Sequence, residues 1–337
     1  MRLRIWILFN CRKIIMQDII KSNKVVPTII FIIGMGRSGT SALTRLINIM
    51  GINIGQNLMP AHITNEKGFW EDLDIVILND KILNIYNSTW FTVAPLPANW
   101  QNYSQIELLE TEANNILTTV YANHAYSVIK DPRMCRLMPF WLPLLKRSGF
   151  NAKFIYNLRN PLEVAESLKK RDNLSLLHAL ALWLDHNLNA EYDTRNYPRV
   201  FVTYDAVMSH PLHVLKYIGK KLKLLYTTST HEVESQVNDF LDKNLRHNVI
   251  KPENIANFEY PVISQWMVEL YFLFHSMKTN NFINKITGKI ARLDNLRINL
   301  AKLSCYEEEK LEEHLNKLMQ ADKAFVVSNT SMFKKIR

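Results

Sequence analysis

The run Thr28 to Ile33 (TIIFII) is unbroken in β-branched and aromatic residues, the pattern of a strand covered on both faces. Glycine punctuates it at once. From Thr40 the apolar positions Leu43, Leu46, Ile47 and Met50 recur at helical spacing, and Gly51 stands where a helix C-terminal glycine belongs. Three further hydrophobic runs read as strands: Tyr126 to Ile129, Lys153 to Leu158 and Arg199 to Tyr204. Between them lie segments of helical periodicity, such as Leu162 to Lys170 and Leu176 to Tyr192. Strands alternating with helices predict an α/β protein in three layers, a central parallel sheet flanked by helices. In such sheets ligands sit beyond the carboxyl ends of the strands. After about Asn248 the strand signals fade and helical patterns take over, including a charged stretch from Cys305 to Ala321 that reads as a solvated helix. The expected division is a basic leader over 1–27, a main α/β domain over 28–250 and a helical C-terminal extension over 251–337.

Composition refines this picture only slightly. At 337 residues, 47% hydrophobic and 21% charged, the chain has the make-up of a folded globular protein. The formal charge of +10 is concentrated at the start, where residues 1–27 hold six Lys/Arg against one Asp. What remains, with no interleaving of aromatic and basic residues, suits an anionic small molecule better than nucleic acid. The three cysteines, Cys11, Cys135 and Cys305, are far apart and odd in number, unlike a disulfide framework or a zinc site. A reducing, cytoplasmic setting is the simpler expectation. The apolar run from Ile5 to Phe9 is too short to span a bilayer and no signal-peptide pattern follows it, so no transmembrane segment is expected; Met16 is an alternative start for the chain.

The chemistry begins at GMGRSGTS, Gly34 to Ser41. A glycine-rich turn between a buried strand and a helix directs backbone N–H groups and the positive helix end at one point, which is a phosphate cradle. Gly34, Gly36 and Gly39 permit close backbone approach, Arg37 supplies a guanidinium, and Ser38, Thr40 and Ser41 supply hydroxyls. The fold expected is therefore P-loop-like, but the loop departs from GxxxxGK[ST]: Gly34 and Gly39 have the right separation, while Thr40 occupies the lysine position and the cation moves to Arg37.

Together with KDPR at 130–133 and YNLRNPLEVAESL at 156–168, this loop resembles the sulfotransferases that use 3′-phosphoadenylyl sulfate (PAPS), particularly bacterial members related to carbohydrate and tyrosylprotein sulfotransferases. The resemblance covers roughly residues 28–250. It implies that Gly36, Arg37, Ser38, Gly39, Thr40 and Ser41 hold the 5′-phosphosulfate, and that Arg159 and Ser167, eight residues on, hold the 3′-phosphate. It implies that Lys130 neutralises charge on the transferring group; read from the residues alone, Lys130 is otherwise an ion-pair partner of Asp131 or a solvated strand end, and Asp131 is placed to orient it. A general base is expected shortly after the first helix, where HITNEKGFWEDLD offers His62, Glu66, Glu71 and Asp72. Glu71 is the first choice, because Phe69 and Trp70 beside it can desolvate its carboxyl; Glu66 and His62 are the alternatives. Arg246, in a segment that relatives close over the nucleotide, is a further candidate for the 3′-phosphate. Trp70, Trp90, Trp100 and Trp183 are candidates to stack on adenine or a sugar, or are core residues.

The expectation is a sulfotransferase acting by in-line displacement on a hydroxyl acceptor, a glycan or other cell-surface precursor, with no metal. The rival readings are a small-molecule kinase using ATP and Mg²⁺ through a variant loop, with Asp131 as a metal ligand, and a non-catalytic nucleotide-binding protein. The oligomeric state is not legible.

Overall fold

The computed structural model describes residues 26–63, 65–226, 228, 230–241, 250, 254–255, 261–279 and 287–303. The leader up to residue 25, the charged stretch from Cys305, Arg246, and the cysteines at 11 and 305 lie outside the described residues. Four parallel strands, β1 (Thr28–Ile33), β2 (Tyr126–Lys130), β3 (Asn151–Leu158) and β4 (Arg199–Thr203), form one sheet in the order β2-β1-β3-β4. Ile30 pairs with Val128 on one side and with Lys153 on the other, so β1 is central. Both of its faces are buried, as a continuous apolar strand requires.

The pleat sends alternate side chains of β1 into two separate cores. Ile29, Phe31 and Ile33 join the larger one, formed with α2 (Leu73–Ile85), α3 (Ser104–Ile116), α4 (Met134–Arg147), α5 (Pro161–Asp172) and α6 (Leu176–Thr194). Ile30 and Ile32 join the other, with Leu43, Leu46 and Ile47 of α1 (Thr40–Ile49). A short helix α7 (Tyr204–Ser209) leads to α8 (Pro211–Leu222) and α9 (Thr230–Phe240), which complete this second layer with Val214, Ile218, Val233 and Val237. The expected three layers are therefore present. Two C-terminal helices, α10 (Pro261–Thr279) and α11 (Thr287–Leu303), add Trp266, Phe274 and Leu296 to the larger core. Phe274 lies 5.1 Å, ring to ring, from Phe201 of β4, so α10 packs against the sheet itself. None of the helices among the described residues is long and apolar enough to cross a membrane.

The topology positions the site. Chain leaving β1 passes to β2 on one side, whereas chain leaving β3 passes to β4 on the other. The turns that follow β1 and β3 thus diverge and leave a crevice between them at the carboxyl edge, the usual ligand position in an open parallel sheet. Gly34 to Gly39 follow β1, Arg159 follows β3, and Lys130 ends β2.

Candidate functional site

The phosphate-type loop is built by three backbone choices. Gly34 (φ +147°), Arg37 (φ +70°) and Gly39 (φ +80°) all have positive φ, and Gly39 caps α1 from the left-handed region. A Cβ on Gly39 would lie 2.3 Å from the Tyr204 ring, and one on Gly34 would lie 2.9 Å from the carbonyl oxygen of Asn157. Only glycine lets the loop sit this close to the ends of β3 and β4. Asn157 Nδ2 donates to the Ser38 carbonyl (2.9 Å), and the Ser38 N–H donates to Met35 O (3.1 Å), which pins the middle of the loop. The first turn of α1 leaves its N–H groups without intrahelical acceptors, facing the crevice end of the helix.

Arg159 and Ser167, predicted from the sequence, meet the loop directly. Arg37 Nε donates to Ser167 Oγ (2.9 Å), and Arg159 NH1 donates to the Arg37 carbonyl (2.9 Å). The Arg159 guanidinium lies over the Tyr204 ring, 4.3 Å from its centroid, and its Nε donates to Glu163 (2.9 Å). Asn160 caps α5, its Oδ1 accepting from Leu162 N–H (3.0 Å), and Pro161 opens the first turn, so the helix brings Ser167 back toward Arg37. Burial, and then the neighbouring guanidiniums of Arg171 and Arg159, hold the Arg37 pKa below its ordinary value. The guanidiniums of Arg37, Arg159 and Arg171 are thus close enough to repel one another.

The second half of the site is a buried ion pair. Lys130 donates to Glu71 Oε1 and to the Phe69 carbonyl (3.0 Å), and each of the two side-chain-bearing residues is only 5% exposed. Burial pushes the Glu71 carboxyl above its usual range, with Lys130 opposing that shift and Asp131 adding to it. Of the alternatives for a base, Glu66 and His62 are exposed, and Asp72 caps α2 and accepts from Tyr121 (2.7 Å).

One expectation needs correction. Asp131 neither pairs with nor orients Lys130: its oxygens accept from Asn79 Nδ2 (2.7 Å), the Arg133 N–H (3.0 Å) and Arg133 NH1 (2.8 Å). After the turn at Pro132 the Asp131 carboxylate is engaged by α2 and the start of α4, with three donors on its two oxygens. Trp183 and Trp100 are core residues. Trp70 is sandwiched between Arg45 (4.7 Å) and the edge of Phe240 (6.2 Å), and Trp90 lies against Arg171 (5.3 Å).

Sequence reasoning missed Asn157, Glu163, Arg171 and Tyr204. Glu163 stands four residues after Arg159 on a helix start, a spacing that signals an ion pair. Asn157 and Arg171 lie on the strand and helix that flank Arg159, whereas Tyr204 reaches the site only because β4 lies beside β3.

No protein-family model matches the chain, and no curated protein matches it. Among solved structures it is similar to the sulfotransferase domain of the Synechococcus PCC 7002 olefin synthase, with 19% identity over 83% of this chain and 96% of that one, and a TM-score of 0.38. A sulfotransferase domain from the curacin biosynthetic pathway matches at 17% identity over 80% and 98% of the two chains, with a TM-score of 0.35. Sulfotransferase STF1 from Mycobacterium tuberculosis H37Rv matches at 14% identity over 71% and 79%, with a TM-score of 0.41.

Proposed function

We propose that this chain is a PAPS-dependent sulfotransferase of the type its motifs resemble, moving a sulfuryl group to a hydroxyl of a glycan or other cell-surface precursor. One observation carries the reading: the glycine-rich loop Gly34–Ser41 and the Arg159/Ser167 element touch each other through Arg37, with the Lys130–Glu71 pair at the end of the next strand. A donor with one phosphate cluster needs the loop alone. A donor with a 5′-phosphosulfate and a 3′-phosphate needs both elements.

The residues present fit such a donor. Loop N–H groups, Arg37, Ser38, Thr40 and Ser41 would take the 5′ end, and Arg159 and Ser167 the 3′-phosphate. PAPS supplies the sulfuryl group and a phosphate oxygen that leaves well. Glu71 takes the proton of the acceptor hydroxyl as the oxygen–sulfur bond to the acceptor forms. The bond from sulfur to the phosphate oxygen breaks, and its electron pair stays on 3′,5′-ADP, where Lys130 and Arg37 offset the charge. The buried setting strengthens both effects. The half-buried Phe69, two residues before Glu71, offers apolar surface of the kind on which sugar rings pack.

The kinase reading is the weaker one. Thr40 stands at the Walker lysine position, and the Asp131 oxygens accept from Asn79 and Arg133. Transfer assays separate the two: ³⁵S from labelled PAPS is expected to pass to oligosaccharide acceptors. Transfer of ³²P from γ-labelled ATP with no transfer from PAPS would replace this reading with the kinase.

A further inference from the structure

Glu163 is almost wholly buried, 1% exposed, on the first turn of α5, and both of its oxygens are in use. Oε2 accepts from Arg159 Nε (2.9 Å) and Oε1 accepts from the Ile250 N–H (3.0 Å). Asn160 Nδ2 completes the fastening by donating to the Ile250 carbonyl (2.9 Å). Arg159 is thereby held on three sides: Nε by Glu163, NH1 by the Arg37 carbonyl, and its flat face by the Tyr204 ring. A guanidinium has five N–H donors in a rigid fork, so fixing Nε and one NH1 hydrogen fixes the direction of those left over.

We propose that Glu163 is a positioning residue that aims the Arg159 fork, and that it sets the preference of the site for a nucleotide with a second phosphate. The assignment rests on the sulfotransferase reading and deepens it. Arg159 alone is an Arg near a nucleotide; Arg159 clamped by a buried carboxylate has one pose, and the ordering cost is met before the ligand arrives. The two ways in which Glu163 can act have opposite signs. If it acts only as a nearby negative charge, removing that charge strengthens anion binding. If it acts by aiming Arg159, removing its acceptor weakens binding of the second phosphate.

Glu163→Gln separates them. The glutamine carbonyl can still accept from Ile250 N–H, but its NH₂ now faces the Arg159 Nε–H, donor against donor. The test is calorimetric titration of wild type and variant with 3′,5′-ADP and with 5′-AMP, which lacks the 3′-phosphate. The expected result is a fall of about tenfold in affinity for 3′,5′-ADP, the size of one charge-assisted hydrogen bond, with 5′-AMP affinity changed less than about twofold. Asn160→Ser, which keeps the α5 cap and removes the contact to Ile250, is expected to leave the ratio unchanged. An unchanged or increased ratio in Glu163→Gln overturns the assignment alone. An equal fall in Asn160→Ser overturns it too, because the Ile250 fastening would then be the cause. No preference for 3′,5′-ADP in the wild type overturns the sulfotransferase reading and this assignment with it. Should Glu163→Gln not fold, Glu163→Asp gives the same readout: a carboxylate one methylene short is expected to lose part of the preference, and full retention overturns the assignment.

Discussion

Lys130 and Glu71, 59 positions apart in the chain, form an ion pair that is almost entirely withdrawn from water. The strand end supplies the ammonium and the turn before α2 supplies the carboxylate. A buried pair of this kind contributes little net stability, but removing one partner strands the other charge in a low-dielectric setting. Glu71→Leu and Lys130→Met, made singly, are each expected to destabilise the protein by about 3–5 kcal/mol, and the double variant by much less. Urea unfolding of the four proteins measures this; additive losses would mean that the two residues do not depend on each other.

The same pair has a catalytic consequence. Glu71→Gln is expected to lower the rate of sulfuryl transfer by a factor of about 10²–10⁴ while 3′,5′-ADP still binds. Because burial raises the Glu71 pKa, the acid limb of the wild-type rate profile is expected to fall at a pH above the ordinary 4.5. Ionised Glu71 is the base, so activity is present above that pH and lost below it. Retained activity in the variant would move the base to Glu66 or His62.

Gly39 is the tightest point of the loop. Gly39→Ala combines a left-handed φ of +80° with a Cβ against the Tyr204 ring. A loss of roughly 1–3 kcal/mol of stability from the backbone alone, plus the clash, is expected, together with loss of the thermal shift given by 3′,5′-ADP. Adding Tyr204→Ala should relieve the clash and leave the backbone cost. A variant that binds the nucleotide normally would show that the loop does not need this approach.

Acid sensitivity is expected to come from a different place. His186 is fully buried on α6, and burial followed by the Arg136 charge pushes its pKa down to about 3. The unfolded chain takes up this proton below about 6.5 and the folded protein does not, so stability falls as pH drops through that window. Its neighbour Asp185, raised to about 6 by burial, works the other way between about 6 and 3.8, and offsets part of the loss. Between pH 6.5 and 4.5, His186→Leu is expected to lose about 2 kcal/mol less stability than the wild type, at 1.36 kcal/mol per pH unit. Parallel losses in chemical denaturation at the two pH values would remove His186 from the account.

Much of the scaffold was readable from local pattern. Thr28 to Ile33 needed only its β-branched run, and Gly51 ends its helix with φ +88° and an N–H bonded to the Asn48 carbonyl, as a C-terminal glycine should. The β4 pattern ran one residue too far, because Tyr204 continues the apolar run but already opens α7, which Thr203 caps. The contacts that define the site were less legible. Arg37, Arg159 and Ser167 announced themselves by motif, but Tyr204 reaches the loop only because β4 lies beside β3, and strand order is not written in any one segment. Asp131 illustrates the same limit: next to Lys130 in sequence, it is engaged by partners that lie 52 positions upstream and two downstream.

The central claim is that Gly34 to Ser41 and the Arg159/Ser167 element form one site for a nucleotide with phosphates at both the 5′ and 3′ positions. Titration of the wild-type protein with 3′,5′-ADP and, separately, with ATP and Mg²⁺ tests it most directly. Tight binding of 3′,5′-ADP is expected, with a stabilisation of about 2.7 kcal/mol at a hundredfold excess over its Kd, and ATP with Mg²⁺ is expected to bind weakly or not at all. Binding of ATP with Mg²⁺ and none of 3′,5′-ADP would contradict it.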